Sequence, residues 1–225
     1  FKKVKKIKPR IQLGFNRRYD PGHFNIKKDL DRNKIGKLEK IIITSRDPSP
    51  PSISYLKSSG GICRDMMIHD FDLCRFYLGK DEIDQVHAFT SSFEPFYKKI
   101  KDHELAVVTM KSKKGVICVI TNSRHCSFGY DQRVELFGKN GMLISGNKRE
   151  NSTECFNSNQ TSSQKPFLNF FMERYDDAYN LQLKELILLH KNKIKSRSTF
   201  KDGYLALKLA NAAYKSLKLK KTIKV

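Results

Sequence analysis

Asp65 and His69 stand four residues apart in the stretch Gly60–Gly79, GGICRDMMIHDFDLCRFYLG, and are the residue types at the spacing best suited to chemistry. On a helix they are neighbours one turn apart. A carboxylate beside an imidazole favours the charged ring and can fix its orientation, as a proton acceptor requires. Spacing alone also fits an ordinary ion pair on a helix surface. A metal site built from His69 with Asp65, Asp70 or Asp72 is disfavoured, because no second His or Cys cluster with ligand spacing lies nearby. The predicted helix opens on Gly60-Gly61 and stops at Gly79, a residue type that ends helices. Met67, Phe71, Cys74 and Leu78 form its buried stripe, while Asp65, His69, Asp72 and Phe76 form another.

The pattern G-G-x-x-x-D-x-x-I-H-D-x-D resembles the signature of the glucose–fructose oxidoreductase and inositol dehydrogenase family, whose members oxidise sugars or cyclitols with a nicotinamide dinucleotide. The resemblance implies that Asp65 and His69 sit beside the substrate carbon that loses hydride. His69 would then accept the hydroxyl proton, and Asp65 would orient the ring or stabilise its charged form. Gly14-Phe-Asn-Arg-Arg-Tyr-Asp-Pro21 is similar to the end of the family's dinucleotide-binding domain, which implies that Asn16 and Arg17 lie near the nicotinamide. Ser45-Arg-Asp-Pro48 corresponds to a family strand end that offers polar groups to substrate, here Arg46 and Asp47. Ser123-Arg-His-Cys-Ser-Phe-Gly-Tyr-Asp131 resembles the family's N-S-R-x-x-x-x-G-Y-D segment and implies that Tyr130 reaches the substrate. From residue types alone, these segments read as a basic loop and two strand-end turns. The C-terminal runs F-F-M-E-R-Y and D-G-Y-x-A-L-x-L-A carry the resemblance to the end of the chain.

The implied cofactor is NAD, with NADP as the alternative, and the implied substrate is a cyclitol such as myo-inositol, or a sugar. A homo-oligomer, dimer or tetramer, is implied as well. Two family features are missing from the sequence: a G-x-G-x-x-G turn after an early strand, and an E-K-P tripeptide. Lys8-Pro9 does not replace the latter, because it immediately precedes the expected strand Ile11–Gly14. With Phe1 rather than methionine at the start, these absences predict a fragment: residues 1–20 as a remnant of a Rossmann domain, and residues 21–225 as a substrate-binding and oligomerisation domain. Alone, such a chain is expected to bind no nicotinamide cofactor and to be inactive. A non-catalytic sugar-binding or oligomerisation relative and a basic nucleic-acid-binding module are the alternatives.

The elements that must position these residues read as α+β: a mainly antiparallel open sheet with flanking helices. Strands are expected over Leu38–Arg46, Ile83–Ser92, Glu104–Lys111, Val116–Ser123, Gln132–Phe137, Met142–Ser145 and Thr222–Val225. Helices are expected over Phe24–Asn33, Phe167–Lys191 and Asp202–Lys215, with a mobile polar loop over 147–166. The chain carries 44 Lys+Arg against 23 Asp+Glu, a formal net charge of +21. The lysines are scattered and no nucleic-acid-binding motif accompanies them, so a solvated basic surface without a specific nucleic-acid partner is expected. Five cysteines with no C-x-x-C pairing read as free thiols in a reducing compartment. No apolar run reaches membrane-spanning length, and the basic N-terminal segment lacks a signal-peptide core, so the expectation is a cytoplasmic protein with no membrane partner.

Overall fold

Strict alternation of buried and exposed side chains builds the sheet on which everything else rests. In the computed structural model, which describes residues 2–7 and 9–225, Ala106, Val108 and Met110 are buried while Val107, Thr109 and Lys111 face out. Phe1 and Lys8, the latter with its Lys8-Pro9 pair, lie outside the described residues. The described elements begin with helix α1 (Lys2–Ile7), followed by a 3-10 turn over Asn16–Tyr19, then α2 (Pro21–Asp31) and β1 (Leu38–Arg46). Three short helices follow, α3 (Ile53–Ser58), α4 (Ile62–Asp65) and α5 (Ile68–Leu78). Next come β2 (Ile83–Ser91), α6 (Pro95–Ile100), β3 (Leu105–Ser112), β4 (Ile117–Ser123), β5 (Asp131–Gly138) and β6 (Gly141–Ser145). The chain closes with the hairpin β7 (Glu154–Asn157) and β8 (Gln160–Gln164), then α7 (Phe171–Arg174), α8 (Asp176–His190), α9 (Phe200–Leu219) and β9 (Ile223–Lys224).

The main sheet has seven strands in the order β6-β5-β1-β4-β3-β2-β9. Only β1 and β4 pair in parallel; the other neighbours run antiparallel. Helices α5 and α9 cover one face, and Phe71, Leu73, Leu209 and Ala213 pack there against Ile41, Val108 and Ile120 in one core. The fold is therefore the expected α+β arrangement with a mostly antiparallel sheet. A capping box between Thr199 and Asp202 starts α9, and Asp20 caps α2 by accepting from the His23 N–H at 2.9 Å.

Four expectations change. Residues 11–14 form no strand: Leu13 bonds the Ser198 carbonyl at 2.8 Å, and its own carbonyl accepts from Ser198 and Gln182 side chains, so the α8–α9 region replaces a ladder neighbour. The Gly60–Gly79 helix is split into α4 and α5. The Ile62 carbonyl accepts from both Met66 and Met67, so the chain widens by one residue at the join. The Phe167–Lys191 helix is likewise broken at Tyr175, a buried ring between α7 and α8. The loop over 147–166 contains the exposed hairpin β7–β8, where Glu154 accepts from Gln164 at 2.7 Å.

Candidate active site

Where β1 and β4 end, the chain leaves the sheet toward a cavity of about 530 Å³. Its wall gathers Asn16 and Arg17 from the 3-10 turn, Asp47 after β1, Asp65 and His69 from either side of the α4–α5 join, and Tyr130 before β5. Residues 14–17 and 130–179 thus meet helical residues from the middle of the chain. Arg46 does not line the cavity. Its guanidinium bonds Asp131 at 2.6 Å, across the β1–β5 pair.

Arg17 is buried beneath the cavity, bonded to Asp70 and, at 2.9 Å, to the Ser45 hydroxyl. Asp70 also accepts from Ser45 at 2.8 Å and from Asn122 at 2.9 Å, which ties α5 to the ends of β1 and β4. Burial opposes the Arg17 charge most strongly of any single influence, but Asp70, Tyr175, Tyr130 and Asp47 together outweigh it and hold the guanidinium pKa above its usual range. Beside it, Arg18 makes a two-pronged bond to Asp72, each contact 2.7 Å. These buried pairs pin α5 in its rotated register after the join.

His69 is half-buried, edge-on to Phe15 with ring centres 5.8 Å apart. Its Nδ1 is enclosed with no hydrogen-bond partner, so Nε2 is the nitrogen left to face the cavity. Burial, and then the Arg17 charge, push its pKa down to about 3. The ring is therefore neutral at physiological pH and able to accept a proton.

Asp65 does not bond His69 among the described residues. One carboxylate oxygen accepts from the Tyr55 hydroxyl at 2.6 Å and the other from Arg124 at 3.0 Å. Arg124 has no exposed surface and also bonds Asp102 at 3.2 Å. The one-residue widening explains the separation, since residues 65 and 69 no longer occupy consecutive turns of one regular helix. Asp47 is pushed up to about 6 by burial, with Arg17 and Arg124 pulling the other way. Tyr130 is buried edge-on to Tyr175 at 6.0 Å, and burial raises its hydroxyl pKa.

Sequence reasoning passed over Tyr55, Tyr175 and Arg124 at this site, and weighed Asp70 only as a disfavoured metal ligand. One signal was present: Arg17-Arg18 and Asp70-x-Asp72 are complementary double charges, and both pairs form. Tyr55 gave none, because the proline-rich segment before it hides the short helix α3. No cluster of three or more His, Cys, Asp or Glu suited to a metal occurs among the described residues, and no helix is long and apolar enough to cross a membrane.

Residues 24–144 match the GFO/IDH/MocA C-terminal domain. Inositol 2-dehydrogenase of Rhizobium meliloti is 36% identical over 224 residues, covering 100% of this chain and 68% of that protein. A solved myo-inositol dehydrogenase from Corynebacterium glutamicum is 40% identical, with a TM-score of 0.91 over 95% of this chain and 64% of its own. The scyllo-inositol dehydrogenase from Lactobacillus casei, solved with bound cofactor NAD(H) and scyllo-inositol, is 26% identical with a TM-score of 0.88, covering 98% of this chain and 66% of that one. The chain spans about two thirds of the length of such relatives.

Proposed function

Because the chain belongs to the GFO/IDH/MocA family of oxidoreductases, we propose that it is the substrate-binding portion of an NAD-dependent dehydrogenase of the inositol 2-dehydrogenase type, acting on a cyclitol. One observation carries this: a single cavity lined by a neutral imidazole, a buried guanidinium and carboxylates drawn from distant parts of the chain. His69 accepts the substrate hydroxyl proton at Nε2. Burial, reinforced by the Arg17 charge, keeps that ring neutral before the reaction, and Arg17 lends positive charge to the oxygen as the proton leaves. Asp47 and Tyr130 offer an acceptor and a hydroxyl to the remaining ring hydroxyls.

The residues present suit only the nicotinamide end of the dinucleotide. Asn16 is buried on the cavity wall, and its side-chain amide, with one donor and one acceptor end, suits a carboxamide. Asn16 and Arg17 would hold that end, whereas the sequence has no glycine-rich turn for the phosphates. When bound, the nicotinamide supplies the hydride acceptor. NAD rather than NADP, and residues 1–20 as the tail of a Rossmann domain, are part of this reading. So is a cytoplasmic setting, in keeping with the free thiols of Cys63, Cys74, Cys118 and Cys126 inside the core.

The sheet face away from α5 and α9 supports a homo-oligomer. Register aligns Phe89, Val107, Val119, Ile42, Phe137, Met142 and Ile144 on it, with Phe89 67% and Ile144 58% exposed. The activity is tested with the full-length protein, myo-inositol and NAD, following NADH absorbance. Turnover is expected, and His69→Ala should lower kcat by on the order of 10²–10⁴-fold with the fold intact by circular dichroism. No turnover with any cyclitol or sugar, or a fully active His69→Ala, would overturn the assignment.

A further inference from the structure

We propose that Tyr55 is a substrate-contacting residue of the cavity, set in place by Asp65 and, through it, by Arg124. This rests on the cyclitol reading above. Tyr55 lies on α3, whose first turn is capped by Ser52 accepting from the Tyr55 N–H at 3.3 Å. Its side chain lines the cavity while the residue stays 49% exposed, so it stands at the mouth rather than in the core. A chain of bonds fixes it from below. The Ile62 N–H at the start of α4 donates to Asp102 at 3.0 Å, Asp102 accepts from Arg124 at 3.2 Å, and Arg124 donates to Asp65 at 3.0 Å. Asp65 then holds the Tyr55 hydroxyl at 2.6 Å.

The direction of that last bond determines what Tyr55 can do. An ionised carboxylate facing a guanidinium only accepts, so the single hydroxyl hydrogen of Tyr55 is committed to Asp65. The same bond pushes the hydroxyl pKa up to about 12, so the proton stays on through the neutral range. Only lone pairs remain toward the cavity. A ligand group placed there must donate, which an alcohol does and a ketone or ether oxygen does not. Tyr55 thereby favours a ring bearing a free hydroxyl at the contacted carbon, and Asp65 and Arg124 act as positioning residues for that choice.

The experiment uses the full-length protein with myo-inositol, its single-position deoxy and O-methyl derivatives, and a keto-inositol, measuring affinity by calorimetry and KM and kcat by NADH absorbance. In the parent, alteration at one ring position should weaken binding by about 5–10-fold, the scale of one hydrogen bond. Tyr55→Phe should raise KM by a similar factor with kcat within about twofold, and the penalty at that position should vanish. In Asp65→Asn the amide turns its oxygen to Arg124 and its NH₂ to Tyr55, freeing the phenolic hydrogen, so the affinity ratio of keto-inositol to myo-inositol should rise several-fold. A Tyr55→Phe protein with the parent's derivative pattern, or a loss in kcat alone, overturns the proposal while leaving the dehydrogenase reading standing. A parent with neither affinity nor turnover for any cyclitol overturns that reading, and the proposal with it.

Discussion

At the residue scale, two histidines are kept neutral by burial. His23, bonded through Nδ1 to Ser145 at 2.8 Å, and His69 are both pushed down to about 3 by burial first. Unfolded, each titrates near its ordinary value of about 6.5. Between those values the unfolded chain binds the extra protons, so stability rises with pH there. The stability they contribute is whole above about 6.5 and drains away as pH falls toward 3. The melting temperature should therefore drop between pH 7 and pH 5, before most carboxylates titrate. His69→Gln, at the better exposed of the two sites, should make that slope shallower. A flat melting temperature over this range would show that neither ring is held neutral. The sequence made His69 legible as a candidate, since an acid four residues away is visible in one dimension. It could not reveal that Asp65 turns to Tyr55 and Arg124, because those partners lie ten and 59 residues away in the chain.

At the element scale, the glycines bracketing the α4–α5 segment have different duties, which separates what was legible from what was not. Gly61 and Gly79 both have positive φ, +83° and +63°, so a side chain at either is strained. The surroundings differ. A Cβ on Gly61 would lie 2.2 Å from the Tyr214 hydroxyl, which accepts from the Cys63 N–H at 3.2 Å, whereas one on Gly79 would meet nothing within 4 Å. Gly61→Ala should therefore cost more than Gly79→Ala by about 1–3 kcal/mol, the overpacking increment, as read from denaturant midpoints. Equal losses would mean that α9 and Tyr214 yield freely. Glycines marked both boundaries of this segment, and residue patterning marked most strands of the sheet. The break between α4 and α5 was hidden, because hydrophobic spacing records neither the doubled bond at the Ile62 carbonyl nor the buried pairs of Asp70 and Asp72 with Arg17 and Arg18 that follow it.

At the scale of the whole molecule, a net charge of +21 and an apolar sheet face pull in opposite directions. Like-charged copies repel, so assembly needs a contact where apolar burial outweighs that repulsion. In the homo-oligomer proposed above, the open face would provide it. Phe89 stands directly across from Val107, Phe137 across from Met142, and Lys40 is partly neutralised by Glu135 at 3.6 Å. Sedimentation at micromolar concentration should find a dimer or larger species, and Phe89→Lys with Ile144→Lys should shift it to monomer while the cavity residues stay in place. Salt gives an independent sign. Screening weakens repulsion between copies, so raising ionic strength from about 0.05 to 0.3 M should tighten the assembly. Binding to a nucleic acid would show the reverse, a steep loss of affinity over the same range. A monomeric parent, or assembly that loosens as salt rises, would leave the sheet face without a second copy to cover it and return the basic surface to consideration as a binding surface in its own right.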